Sequence, residues 1–351
     1  MRNEYIMTKQ KEHMNNAIHR IVEWIMSIII GFLVVNTICF LYERPVGWYD
    51  TINGVSTSVW HPGKVIVHGT EGYGKIIVDE NGFLNPSGEL ADEYILMLGT
   101  SHTQGKEVDR EKKYSVLVND QIGDDNKLHT YNIAADGNFL PTQIKHFKAA
   151  TEAFADASII TIEIGSTDYA VADLEDALEQ LDYDLADSAD YFSVMSSFEK
   201  IRTFVKEYFP LISRIRTQMQ TAKSIKQINS SADSWEIDSD NYSMVIGKAL
   251  GLMKSEYDKP LVFIYHPGVN IEKDGTLSLV YSETWEIFKQ ACINNGIDII
   301  DCGPDFIENY NSNKELPYGF TNTTLGSGHL NEVGHQIIAN EIIAYWEEHE
   351  Q

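Results

Sequence analysis

The sequence predicts an α/β domain built on a parallel, doubly wound sheet of five strands. A membrane-spanning helix precedes it and a helical insert interrupts it. Two patterns carry this reading. From Tyr94 onward, short runs that are apolar nearly throughout alternate with stretches of helical periodicity, the pattern of strands covered by helices on both faces. Near the N-terminus, Trp24 to Leu41 forms an almost unbroken apolar run. Strand–helix alternation implies right-handed crossovers and a parallel sheet, with working residues in loops at the carboxyl ends of the strands.

The apolar run reads WIMSIIIGFLVVNTICFL. Eighteen residues at 1.5 Å each span roughly 27 Å, close to the thickness of a bilayer's hydrocarbon core. Trp24 and Tyr42 stand at its ends, where amphipathic rings favour the interface. No small-residue cleavage site follows it, so an uncleaved anchor over 21–42 is expected rather than a signal peptide. Arg2, Lys9, Lys11 and Arg20 precede the span and Arg44 closely follows it. The positive-inside bias therefore assigns 1–20 to a cytoplasmic tail and everything after the span to the extracytoplasmic side.

The chain has 351 residues, 43% of them hydrophobic and 23% charged, a globular composition. Its 27 Lys and Arg against 52 Asp and Glu leave a net charge of −25. Such a surface repels phosphate backbones, which excludes nucleic acid as a partner. Three cysteines are too few for a disulfide framework, and no CxxC pair suggests zinc. Cys292 and Cys302 could pair in an oxidising compartment or could both be small buried hydrophobes.

Residues 43–92 are rich in glycine and turn residues, with one β-like run at Lys75–Val78, and are expected to form a stalk and irregular lead-in. The domain proper occupies 93–351. Its expected strands are Tyr94–Leu98, His129–Ile133, Ser158–Ile164, Leu261–Tyr265 and Ile297–Ile300. Helical patterns fall at about Glu111–Ile122, Pro141–Phe154, Ser282–Asn294 and Glu332–Glu347. The interval 171–259 is too long for one crossover. It begins with an acidic stretch, Asp173 to Asp190. An amphipathic helix follows, with Phe198, Ile201, Val205, Tyr208, Ile212, Ile215 and Met219 at three- and four-residue spacings and Pro210 dividing it. The insert reads as a helical cap with a solvated acidic face, or as a lid or docking element.

Chemistry concentrates at four strand ends. The first strand runs into Gly99–Thr100–Ser101–His102–Thr103–Gln104–Gly105, where a turn exposes the Ser101 hydroxyl and nearby amides face a developing oxyanion. A serine needs a base. The candidate is His329, in Gly326–Ser327–Gly328–His329–Leu330–Asn331 ahead of the terminal helix. The second strand leads to Asn132–Asn138, whose Gly137 amide can approach a substrate closely. The third ends in Gly165–Ser166–Thr167–Asp168. His335, on the terminal helix, is expected to pack rather than react. No histidine spacing of a known type points to a metal.

These four blocks, in this order, resemble the SGNH/GDSL hydrolase family over about residues 75–349. The resemblance implies a flavodoxin-like five-stranded sheet, with Ser101 as nucleophile and His329 as base. It implies an oxyanion hole from the amides of Ser101 and Gly137 with the Thr167 hydroxyl, and makes Thr100, His102 and Asp168 candidates to line the pocket. Three positions depart from the family pattern. Thr100 and Thr167 stand where the family has aspartate and asparagine, and Gly326 stands where the aspartate that orients the histidine belongs. With that aspartate missing, a Ser–His dyad is expected, its imidazole held by a backbone carbonyl.

The resemblance implies an extracytoplasmic serine esterase needing no cofactor and acting on O-acetyl groups of cell-surface glycans or on small esters. Two rival readings accompany it. One is an O-acyltransferase served by a membrane-bound O-acyltransferase partner. The other is a non-catalytic glycan-binding module on a degenerate hydrolase fold.

Overall fold

A computed structural model describes residues 2–44, 48–49, 59–123, 127–181, 196–216 and 238–349. The sheet comprises β1 (Leu90–Leu98), β2 (Leu128–Asn132), β3 (Ile159–Ile164), β4 (Leu261–Tyr265) and β5 (Asp298–Asp301). Every neighbouring pair is parallel, and the order is β5-β4-β3-β1-β2. This is the flavodoxin-like arrangement, whose direction of winding reverses between β1 and β3 and opens a crevice at their carboxyl ends.

The side chains of β1 alternate between two cores. Leu96 and Leu98 point into one and Ile95 and Met97 into the other, as the two-residue period of a strand requires. The first core is closed by α4 (Leu140–Ala153), α5 (Val171–Leu181), α7 (Ser239–Glu256) and α8 (Trp285–Asn294). The second is closed by α3 (Tyr114–Ile122), α9 (Gly303–Asn313) and α10 (Glu332–His349). Cys292 belongs to the first core and Cys302 to the second, and both thiols are free, so the sheet separates the pair that a disulfide would have joined.

Two expectations are corrected. Within 43–92, Val65–His68 and Gly74–Ile77 form an antiparallel hairpin over a small core of Trp60, Ile66, Ile76, Val78 and Leu84. Asn85 exchanges hydrogen bonds with the backbone of Asn132, so this lead-in covers the open edge of β2, as an exposed edge requires. The β-like run expected at Lys75–Val78 is the second of these strands, displaced by one residue, and its partner, completed only by pairing, left no trace in the sequence. The insert, likewise, is not one cap. Its first and last parts, α5 and α7, are core-forming crossover helices, with Leu174, Tyr242, Ile246, Leu250 and Met253 fully buried.

Between them, α6 (Ser197–Tyr208) ends before Pro210, and helix resumes over 210–216. A proline is tolerated at a helix start because its missing N–H would have no partner there. Asp182, Asp184, Asp187, Asp190 and Met219 lie outside the described residues. The N-terminal helix α1 runs over Arg2–Tyr42, and its part His13–Tyr42 is long and apolar enough to cross a membrane.

Candidate active site

Ser101 is the first residue of α2 (Ser101–Gln104), a single turn that begins where β1 ends. Thr100 caps this turn by accepting from the His102 N–H at 3.2 Å. The Ser101 N–H sits at the first helical position, where an amide has no partner within the helix. His329 occupies the loop before α10. Its Nε2 lies 2.9 Å from Ser101 Oγ, its Nδ1 lies 2.7 Å from Glu71 Oε2, and its backbone N–H donates to Glu71 Oε1 at 2.7 Å. A carboxylate on Nδ1 places the proton there and leaves the Nε2 lone pair for the serine O–H.

The expected Ser–His dyad is thus corrected to a Ser101–His329–Glu71 chain. Gly326 carries no carboxylate. Glu71 supplies one from the turn of the lead-in hairpin, 258 residues away in sequence. That turn is held from both sides. Glu43 accepts from the Gly69 and Thr70 N–H groups, while Asn322 accepts from the Gly72 N–H and donates to the carbonyls of Gly69 and Gly72. A side chain on Gly328, at φ +86°, would collide with the Glu71 carboxylate, so the Gly-Ser-Gly run before His329 makes room for the acid. Burial works to raise the Glu71 pKa, but the hydrogen bonds from His329 and its charge outweigh that and hold the carboxyl below its ordinary value.

His102 lies between His329 and His266, with ring centroids 5.2 and 4.6 Å away. Its Nδ1 accepts from the Leu330 N–H at 3.1 Å, which anchors the loop carrying His329 and puts the His102 proton on Nε2. Burial, reinforced by His266, drives its pKa well below the ordinary histidine value, so it is neutral. Beneath Ser101 lies Glu163, a fully buried acid in a strand otherwise made of isoleucines and Thr161. It accepts from the Thr100 N–H at 2.8 Å and from the hydroxyls of Thr100 and Thr103, and lies 2.7 Å from His266 Nε2. Tyr318 OH completes the row, 2.8 Å from His266 Nδ1. Burial would raise the Glu163 pKa, but the hydrogen bond and charge of His266 prevail and hold it at about 2.

A second carboxyl approaches the imidazole from the serine side. Glu107 Oε1 is 3.9 Å from His329 Nε2, is buried, and makes no hydrogen bond among the described residues. Burial pushes this carboxyl upward, against the pull of His329. The arrangement offers a strong acceptor on one face of His329 and a more weakly acidic group on the other.

The remaining sequence-based candidates separate. Gly137 stands exposed in a turn at φ +81°, with open space around it. That turn is tied to the loop carrying Ser101 by the Ala135 N–H on Gly99 O. Thr167 departs from the oxyanion expectation. It is fully buried, and its hydroxyl accepts from Thr284 Oγ1 at 2.9 Å while Tyr242 OH binds its carbonyl. Asp168 does not line the pocket either. It accepts from the N–H groups of Glu283 and Thr284, satisfying donors at the start of α8. Thr100 is buried and committed to Glu163, so it too is removed from the lining. His335 is buried, accepts from the Tyr114 N–H, and is pushed to about 3 by burial and the neighbouring Lys113.

A cleft of about 380 Å³ opens beside the triad, lined among others by His102, His266, Asn270, Tyr318 and Gly328. Among the described residues, no three His, Cys, Asp or Glu side chains are grouped to hold a metal ion. Glu71, His266, Tyr318 and Glu107 escaped the sequence reading. The one legible sign was Glu163, a carboxylate between isoleucines in a buried strand, which needed partners.

No protein-family model matches the chain, and no curated protein matches it significantly. Similar solved structures include an acetyl xylan esterase, AlAXEase, at 12% identity and a TM-score of 0.41, covering 72% of this chain and 98% of that one. A psychrotrophic esterase, EstA, from Pseudoalteromonas sp. gives 11% identity and a TM-score of 0.36, covering 74% of this chain and 100% of that one. TesA gives 9% and 0.37, covering 73% and 98%.

Proposed function

We propose that this protein is a serine ester hydrolase of the SGNH/GDSL type. In this reading α1 anchors it in a membrane, its catalytic part stands on the extracytoplasmic side, and it removes O-acetyl groups from surface glycans or small esters. The observation that carries the proposal is the unbroken hydrogen-bonded row Ser101 Oγ–His329–Glu71. A binding module has no need of a hydroxyl, an imidazole and a carboxylate in this order. The excess of basic residues before the span supports the orientation.

Ser101 Oγ attacks the ester carbonyl as His329 Nε2 takes its proton, and Glu71 stabilises the imidazolium that results. The amides of Ser101 and Gly137 receive the oxyanion. The imidazolium then protonates the departing alcohol, leaving an acyl-serine. Water, activated by the same Nε2, releases the acid. A cleft of about 380 Å³ with Gly165, Gly268, Gly326 and Gly328 in its wall suits a small acyl group on a polar alcohol.

The test is covalent labelling with a fluorophosphonate, together with release of free acetate from 4-nitrophenyl acetate. The wild-type protein is expected to react at Ser101 and turn over. The Ser101→Ala variant is expected to do neither, and the His329→Ala variant to do both far more slowly. Unchanged turnover in Ser101→Ala would overturn the proposal.

A further inference from the structure

The middle of the insert is basic although the chain as a whole is acidic. Residues 197–216 carry five basic side chains (Lys200, Arg202, Lys206, Arg214 and Arg216) against two acidic ones, Glu199 and Glu207. Phe198, Ile201, Phe204, Tyr208, Ile212 and Ile215 follow one another at three- and four-residue spacings. They are exposed by 38% at Tyr208 and up to 75% at Phe198. An amphipathic helix with a basic polar side and large apolar residues opposite is the type that lies along a bilayer surface.

The level at which this segment lies is set by α1. Phe32 and Phe40 stack on Phe209 and Tyr208, with centroids 6.3 and 6.2 Å apart. Asn36 donates through Nδ2 to the Tyr208 carbonyl at 3.0 Å and accepts from the Leu211 N–H at 3.4 Å. Asn36 lies six residues before the end of α1, which places these contacts roughly 9 Å inside it. They fall at the break before Pro210, where one helix leaves carbonyls without partners and the next leaves N–H groups. Within hydrocarbon no water can satisfy such groups, so a break at that depth needs an internal partner. The one strongly polar side chain of the apolar run supplies it. On the side facing the domain, Glu207 pairs with Arg44 at 3.2 Å and Lys64 at 2.8 Å, while Lys200, Arg202 and Lys206 of α6 are exposed.

We infer that α6 and residues 210–216 are embedded in the lipid at the outer boundary of the bilayer that α1 crosses, with anionic headgroups meeting their basic edge. The inference rests on the anchored reading proposed above. It gives α1 and the insert a joint role, a two-part seat that fixes the domain's orientation on the membrane.

The test uses the full chain in single-copy nanodiscs of phosphatidylcholine and phosphatidylglycerol. Cys39→Ser removes the one accessible native thiol. A fluorophore is then attached in turn to Val34→Cys on α1, Ile201→Cys and Ile212→Cys on the insert, and Ile293→Cys on the domain surface. Quenching is compared between aqueous iodide and lipids spin-labelled at shallow and deep positions. The Val34 site is expected to respond to the deep label. The Ile201 and Ile212 sites are expected to respond to the shallow label and to lose the iodide quenching seen at Ile293. Lipid quenching at Val34 with full iodide access at Ile201 and Ile212 overturns the inference and leaves the anchor standing. Protection from iodide without lipid quenching overturns it too, because protein then covers the face. No lipid quenching at Val34 removes the anchored reading itself.

Discussion

Glu71 decides which way the imidazole faces. Without a carboxylate on Nδ1, the ring is free to hold its proton on Nε2, where it cannot accept from Ser101. Glu71→Gln retains the shape but removes the charge that stabilises the imidazolium. It is expected to lower kcat/KM for 4-nitrophenyl acetate by about 10²- to 10⁴-fold, chiefly through kcat. Steady-state kinetics on the folded variant check this, and a loss of less than about twofold would mean that Glu71 only shapes the turn. Ser101 and His329 were legible because each sits in a short glycine-bracketed block at a strand or helix boundary. Glu71 was not, because an acid in a glycine-rich turn carries no sign of the partner it will meet.

The element scale explains why similar-looking strand ends do different work. The loop after β3 contains Thr167 and Asp168, which sequence reasoning assigned to the site, yet both serve the start of α8 through Thr284 and neighbouring amides. Asp168→Ala is therefore expected to lower stability by about 1 kcal/mol, as loss of a capping acceptor does, while leaving kcat within experimental error. Denaturant midpoints alongside esterase kinetics separate the two effects, and a large fall in kcat at unchanged stability would return Asp168 to the site. The strands themselves were legible from their apolar runs, and Leu261–Tyr265 is unchanged between expectation and structure. Of the lead-in hairpin, only the run Lys75–Val78 was legible, and it overlaps the second strand. The hairpin's strands are four residues long and depend on each other for their buried face.

At the scale of the whole molecule, a buried carboxylate links the fold to pH. Glu163 lies fully buried below Ser101, and its folded pKa of about 2 stands below the ordinary 4.5. A carboxyl depressed on folding stabilises the fold above the unfolded value. It loses that contribution as pH falls from about 4.5 toward 2. Acid is therefore expected to lower the denaturant midpoint between pH 6 and pH 3. Glu163→Gln should start from a lower midpoint at pH 6 and show a smaller drop over the same interval. An equal drop in both proteins would assign acid sensitivity to other groups. The end of α1 is tied to the rest of the fold by hydrogen bonds. Asn322 donates to Tyr42 OH as well as to the Glu71 turn, and Glu43 holds that turn's amides, so the end of the apolar helix and the turn carrying Glu71 share one set of hydrogen bonds.

By itself, the amino-acid order determined the features that depend on local period and composition. These are the apolar helix near the start, the five strands with most of their intervening helices, the acidic surface, and the two small-residue blocks holding Ser101 and His329. Hydrophobic spacing is read within a few residues, and so are turn signals. Only tertiary structure decided what stands behind the imidazole, why a lone asparagine sits in an apolar helix, and which polar strand-end residues face the crevice. Each of those depends on groups between 75 and 258 residues apart meeting at distances below 3.5 Å, and a hydrogen bond between distant segments leaves no periodic mark on either.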